Sequence, residues 1–223
     1  MAEEKVKGIV VKLIDYKDAD KLASVFTLEQ GLITAKFNGV KKDKAKLKAV
    51  AQPFVFAEFI LANKGNMNTV TSAELLDNFP KILNDYNKTI CAYIVLDIIK
   101  TILPTQKAEQ DIFLLTLSSL KNIENNNELV ATIDYILKFV AFSGMELQLP
   151  DADYIYFNKQ TAEFTQSRES AQQIDKKVYS ALKSINKGEE LEINTTTLKQ
   201  TLRLLHNILF IKFGEEIKSF EFI

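Results

Sequence analysis

The chain has 223 residues, 47% of them hydrophobic and 26% charged, with a net charge of −1. This composition is ordinary for a globular protein, and the length holds one large domain or two small ones around a core that needs no covalent staples. A single cysteine, Cys91, excludes an internal disulfide, and no run of about 18 apolar residues is present to span a membrane.

The opening stretch MAEEKVKG is charged and lacks an apolar run, so no signal peptide is expected. With the lone thiol, this points to a reducing cytoplasm. Only Arg168 and Arg203 of the 28 basic residues are arginine, which together with the many Asn and Ile suggests an AT-biased genome.

Before residue 80 the apolar pattern is short and β-like. KGIVVKLID (7–15) is rich in β-branched residues, and KLASVFTLE (21–29) alternates in part before a turn at Gln30-Gly31. GLITAKFNG (31–39) sets Ile33, Ala35 and Phe37 on one face and Thr34, Lys36 and Asn38 on the other. QPFVFAEFILAN (52–63) places Val55, Ala57, Phe59 and Leu61 on one face. Lys64-Gly65-Asn66 reads as a turn and NMNTVTSAEL (66–75) as a fifth strand. Five strands with turn signals between them predict a small closed barrel over residues 1–79.

Between the third and fourth strands lies VKKDKAKLK (40–48), with Lys41, Lys42, Lys44, Lys46 and Lys48 and one aspartate, Asp43. Ala45, Leu47 and Ala49 recur there at spacing two, and a short helical turn is expected. The bland reading is a solvated loop. The segment 1–80 as a whole carries 12 lysines against 10 acidic residues, so the basic signal is local.

After residue 80 the periodicity becomes helical. Pro80 suits a first helical position. Segment 80–103, with Leu83, Tyr86, Ile90, Tyr93, Ile94 and Ile98, stops before Pro104. Segment 107–123 carries Ile112, Leu115, Leu117 and Leu120. Segment 128–143 carries Leu129, Ile133, Ile136, Leu137 and Val140 and ends at Gly144. A more polar helix is expected over 168–186. The last, 195–213, carries Leu198, Leu202, Leu205 and Leu209 and stops at Gly214. Between them, YIYF (154–157) and AEFT (162–165) flank Asn158-Lys159 as a small hairpin within an exposed link. The fold class is therefore α+β: a five-stranded OB-type barrel followed by a helical domain over 80–223, with a small insert near 149–167.

The sequence offers few residues for catalysis. Gly31 and Gly39 lack the partners of a phosphate-binding P-loop. The single histidine, His206, sits inside the last helix, and one Cys with one His cannot build a structural zinc site. Cys91 lies in an apolar helical pattern and is expected to be buried and inert. DYKDAD (15–20) reads as an exposed turn between the first two strands. No nucleophile–base pair can be assembled, so the protein is expected to bind and not to be an enzyme, and no cofactor or metal is expected. Lysines on a barrel can neutralise phosphates and release counterions, with Lys12 and Lys36 extending the basic track along the strands. Phe54 and Phe56 are read as packing residues in preference to base-stacking platforms.

Three stretches together resemble the RecO family of bacterial recombination mediators. The first is GIVVKLIDYKDADKLASVFTLEQGLI (8–33), with a T-x-E-x-G turn at Thr27, Glu29 and Gly31. The second is FNGVKKDKAKLKAVAQPF (37–54), where Gly39 and the lysines lead to Leu47, Gln52, Pro53 and Phe54. The third is FGEEIKSFEF (213–222), with Gly214, Ile217, Lys218 and Ser219.

The resemblance implies an N-terminal OB-fold and a C-terminal helical domain in a nucleoid-associated cytoplasmic protein of DNA repair. It implies binding of single- and double-stranded DNA, strand annealing and, with RecR, loading of RecA onto DNA coated by single-strand binding protein. It also implies that the helical domain contacts that coating protein's acidic, hydrophobic C-terminal tail. For that contact the candidates are an apolar groove between helices and the charges of Lys121, Lys138 or Arg203; charges that merely solvate the helix surface are the alternative for each. Many family members carry a four-cysteine zinc module, but LPDADYIYFNKQTAEFT (149–165) has no cysteine, so the hairpin is expected in its place and zinc is not carried over. The competing reading is a non-enzymatic protein-interaction scaffold whose lysine run is only a solvated loop.

Overall fold

The computed structural model describes residues 3–64, 67–152, 155–189 and 192–223. The expected turn at Gly65-Asn66 and the expected strand residue Tyr154 lie outside them. The chain forms two compact units: Met1–Pro80 with Ile102–Leu117, and Lys81–Thr101 with Ser118–Ile223.

The first unit is built on five strands: β1 (Glu3–Tyr16), β2 (Asp20–Thr27), β3 (Gly31–Phe37), β4 (Phe56–Lys64) and β5 (Met67–Asp77). They close in the order β1-β2-β3-β5-β4, with β4 returning to β1 and β3 parallel to β5. This is a five-stranded OB barrel. Residues at spacing two fill it, among them Val6, Val10, Val25, Ile33, Phe37, Val55, Phe59 and Val70, and the Phe37 and Phe59 rings meet edge to face at 5.9 Å.

β1 is longer than its apolar pattern indicates, because its first half pairs with β4 and its second half with β2. The register shifts between Val10 and Lys12, leaving Val11 as a bulge. A bulge moves the strand's later residues to the opposite face. Val6 and Val10 therefore point into the core, Leu13 packs against it, and Lys12 is exposed.

The outer face of the barrel is also apolar at one place. Ile9 lies across the ladders from Phe26 and Phe56. Both of those rings pack on Phe113, at 5.5 and 6.2 Å. Phe54 is fully buried, with φ +68°, and precedes the strand instead of lying on it. Both phenylalanines are thus packing residues.

The T-x-E-x-G turn is closed by hydrogen bonds of its Thr27 and Glu29 side chains. Buried Thr27 donates its hydroxyl to the Gly31 carbonyl at 2.8 Å and accepts the Gln30 N–H at 3.1 Å, while the Glu29 carboxylate accepts the Lys7 N–H at 3.0 Å. Gly31 has φ +71°, and a Cβ there would lie 1.9 Å from the Lys107 carbonyl oxygen. Only glycine allows that approach, which the Gln106 N–H fixes by donating to the Leu32 carbonyl at 3.0 Å.

The expected helix over 80–103 is two: α1 (Pro80–Leu83) and α2 (Tyr86–Ile102). Asp85 restarts the chain, its carboxylate accepting the Lys88 N–H at 3.0 Å. Leu83, Tyr86 and Tyr93 consequently face solvent, while Ile90, Ile94 and Ile98 are buried. α3 (Gln110–Asn125), α4 (Glu128–Phe142) and α6 (Thr195–Phe213) follow their expected periods. The Asn127 and Asn194 side chains cap α4 and α6. The polar helix is shorter than 168–186: α5 is Lys176–Lys187, capped by Asp175, and residues 172–173 are extended as β8. β8 joins β6 (Tyr156–Asn158) and β7 (Glu163–Thr165), so the hairpin becomes a three-stranded sheet. Its staple is aromatic, Phe157–Phe164 and Phe164–Tyr179 each at 5.4 Å. Among the described residues no helix is long and apolar enough to cross a membrane.

Candidate functional site

Residues 38–55 connect β3 to β4 as a chain of turns, and the expected helical turn is realised as successive short backbone bonds. The N–H of Lys42 donates to the Gly39 carbonyl, that of Ala45 to Lys42 and that of Lys48 to Ala45, each at 3.1 Å. The apolar residues of the run hold it down. Val40, Val50 and Ala51 belong to the barrel core, and Leu47 packs against it. Burial of these side chains leaves the intervening lysines outward: Lys41, Lys42, Lys44, Lys46 and Lys48 are all exposed.

The β1–β2 turn grips the base of this loop. The Asp20 carboxylate accepts the Gly39 N–H at 2.8 Å through one oxygen and pairs with Lys36 at 3.0 Å through the other. The Gly39 N–H, then Lys36, hold the Asp20 carboxyl below its ordinary range. The Lys41 N–H donates to the Ala19 carbonyl at 3.0 Å, and its ammonium pairs with Asp15 at 3.1 Å. Lys36 and Lys17 also lie over the Tyr16 ring, at 5.6 and 5.5 Å from its centroid. DYKDAD is thus the exposed turn expected, and it also clamps the lysine loop.

The seven candidate lysines therefore fall into two groups. Lys36 and Lys41 carry carboxylate partners. Lys12, Lys42, Lys44, Lys46 and Lys48 form no ion pair among the described residues and are free to take an external anion. A further lysine belongs with them. Lys21, isolated in sequence, joins Lys41, Lys48 and Gln52 around a cavity of about 350 Å³, with Asp15 on its rim and Val40 and Ala51 in its wall. The sequence carried no signal for it beyond its place after the acidic turn.

In the second unit the three candidate cations are not brought together. Lys121 is exposed on α3. Lys138 pairs with Asp134 one turn away at 2.7 Å, and the Arg203 guanidinium donates to the Ile223 carbonyl at 3.2 Å. None of them lines the cavity of about 810 Å³ beside α4 and α5, whose wall includes Asp134, Glu189 and Glu192. An acidic ligand is not favoured there. Cys91 is buried, and burial pushes its thiol up to about 11. His206 stacks on Phe220 with centroids 4.4 Å apart, and burial lowers its pKa. Among the described residues no three His, Cys, Asp or Glu side chains converge as a metal site.

Residues 1–79 match the family described as "Recombination protein O N terminal", and residues 83–220 match "Recombination protein O C terminal". The chain is 30% identical over 142 residues to the DNA repair protein RecO of Oceanobacillus iheyensis, covering 63% of this chain and 55% of the relative. It is 27% identical over 142 residues to that of Caldicellulosiruptor saccharolyticus, covering 63% and 58%. With that of Desulforamulus reducens it shares 26% identity over 145 residues, covering 65% and 57%. The chain spans little more than half the length of these curated relatives.

Proposed function

Because the chain belongs to the recombination protein O (RecO) family, we propose that it is a DNA-binding recombination mediator in DNA repair. The barrel binds the backbone of single- and double-stranded DNA through the 38–55 loop. The protein promotes annealing of complementary strands and, with RecR, assists RecA loading on DNA coated by single-strand binding protein. The observation that carries this reading is the loop itself: exposed lysines, of which Lys42, Lys44, Lys46 and Lys48 form no ion pair among the described residues, set in register by Val40, Leu47, Val50 and Ala51 on a closed barrel.

Annealing needs no covalent chemistry. Two strands repel through their phosphates, and cations that neutralise one of them lower that repulsion and release condensed counterions. Base pairing then supplies the driving free energy. Lysine is a compact ammonium on a flexible stem, so it follows a backbone without choosing a sequence. The helical unit is the expected docking platform for the acidic tail of the coating protein, with exposed Lys121 the least committed of its three candidate cations.

The test is annealing of complementary strands coated with single-strand binding protein, with and without RecR. The reading expects the chain to accelerate annealing over coated strands alone, and a variant with Lys41, Lys42, Lys44, Lys46 and Lys48 changed to Ala to lose that acceleration. Equal rates for the two proteins would remove the loop from the mechanism. No acceleration by either would leave the barrel as an interaction scaffold.

A further inference from the structure

Resting on the DNA-binding reading above, we infer that the cavity between the β1–β2 turn and the lysine loop is a single-phosphodiester site, and that Asp15 is an internal competitor for it. The Asp15 carboxylate holds Lys41 in the free protein and must be displaced when a backbone phosphate enters.

Geometry separates Asp15 from its neighbour Asp20. Asp20 is a structural clamp: it accepts a backbone N–H from Gly39 as well as pairing with Lys36, and its side chain is 17% exposed. Asp15 caps no backbone group among the described residues. Its contact is the ammonium of Lys41 at 3.1 Å, and its side chain is 67% exposed. Asp15 also lies directly across the β1–β2 ladder from Lys21, which places the two on the same face of the sheet. The carboxylate therefore stands beside two of the three cations that border the cavity, while Lys48 forms no ion pair among the described residues.

The chemistry of the lining suits one tetrahedral monoanion. Lys21, Lys41 and Lys48 supply N–H donors and positive charge, the Gln52 amide adds a neutral donor, and Val40 and Ala51 form an apolar wall. With Asp15 in place the rim carries a net charge of +2, from three lysines and one aspartate. A phosphodiester offers two charged oxygens where the carboxylate offers two. It can replace the Asp15–Lys41 pair contact for contact, but it meets the repulsion of Asp15 as it arrives. The expected consequence is a ceiling on affinity. A strand is held loosely enough at this point to be released once it has paired.

The experiment is anisotropy of a labelled oligothymidylate at about 50 mM salt with wild type, D15N, K41A, the D15N/K41A double variant and D18N. Asp18 lies on the same turn and does not line the cavity, so it reports the effect of charge alone. D15N should tighten binding by about two- to fivefold, the range expected for releasing an exposed ion pair. That gain should shrink by at least half in the K41A background, and D18N should gain less than D15N. K21A and K48A should each weaken binding. The inference is overturned if D15N gains nothing, if D18N gains as much, or if the D15N gain persists unchanged without Lys41. It is also overturned if D15N lowers the melting midpoint and weakens binding, since Asp15 is then structural. Those results leave the DNA-binding reading standing provided the wild type binds; a wild type that does not bind the oligonucleotide removes both.

Discussion

Changing Lys42, Lys44, Lys46 and Lys48 together to Ala should flatten the salt dependence of DNA binding by a calculable amount. All four are exposed, and none forms an ion pair among the described residues, so each is available to a phosphate at no cost in broken contacts. Single-stranded DNA contributes a slope of about 0.7 per neutralised phosphate, so four engaged lysines account for about 2.8 in the slope of log K against log salt. Between about 50 and about 200 mM salt, the wild type should therefore lose about fiftyfold more affinity than the variant. Lys36 and Lys41 are left intact because their carboxylate partners make their contribution smaller. The fold should not suffer, since the loop is held by Val40, Leu47, Val50 and Ala51, and exposed substitutions usually change stability by less than about 0.5 kcal/mol. The assay is anisotropy of a labelled oligonucleotide at four or more salt concentrations. Parallel slopes for the two proteins would refute the reasoning, whatever their affinities at any one salt.

Other consequences concern the scaffold. Gly31→Ala should destabilise the protein by at least about 2 kcal/mol in chemical denaturation, because φ +71° is strained for alanine and the new Cβ meets the Lys107 backbone; a smaller loss would mean that residues 105–107 yield freely. Thr27→Val should cost about 1–3 kcal/mol by leaving the Gln30 N–H and the Gly31 carbonyl without the hydroxyl between them, and a neutral effect in the same measurement would contradict the account of the turn. The Cys91 thiol, held up to about 11 by burial, should react with a thiol reagent near pH 8 only as fast as the protein opens. Because its folded pKa is raised, its contribution to stability is intact below the unfolded thiol's value and is lost as pH rises toward about 11. Rapid stoichiometric labelling of the native protein would overturn that placement.

Much of the barrel was legible because its inward residues recur at spacing two, and Ile33, Ala35, Phe37, Val55, Ala57, Phe59 and Leu61 are all buried as that period requires. What period alone could not show was the Val11 bulge, which inserts one residue and turns Lys12 outward. The break between α1 and α2 is masked in sequence by Leu83 and Tyr86, apolar residues that fit the helical period yet face solvent; its one local sign is the capping carboxylate of Asp85. Residues 168–186 read as one polar helix, but residues 172–173 pair with β6 as β8, a tertiary contact that local pattern does not show, and the helix begins only at Lys176. For the candidate site, a lysine run is conspicuous in sequence. Its electrostatics are not: the pairs Asp15–Lys41 and Asp20–Lys36 join residues on different strands and loops, and Lys21 reaches the cavity from β2, outside the lysine run.

If the loop between β3 and β4 is the surface that meets DNA, its lysines are shielded in the complex. Lysine footprinting reads that shielding: the protein is modified with an amine-reactive reagent with and without a saturating single-stranded oligonucleotide, and each lysine is read by mass spectrometry. Protection is expected at Lys21, Lys42, Lys44, Lys46 and Lys48, with exposed Lys159 on the β6–β7 turn unchanged. Loop lysines that react equally with and without bound DNA, with protection elsewhere, would contradict it.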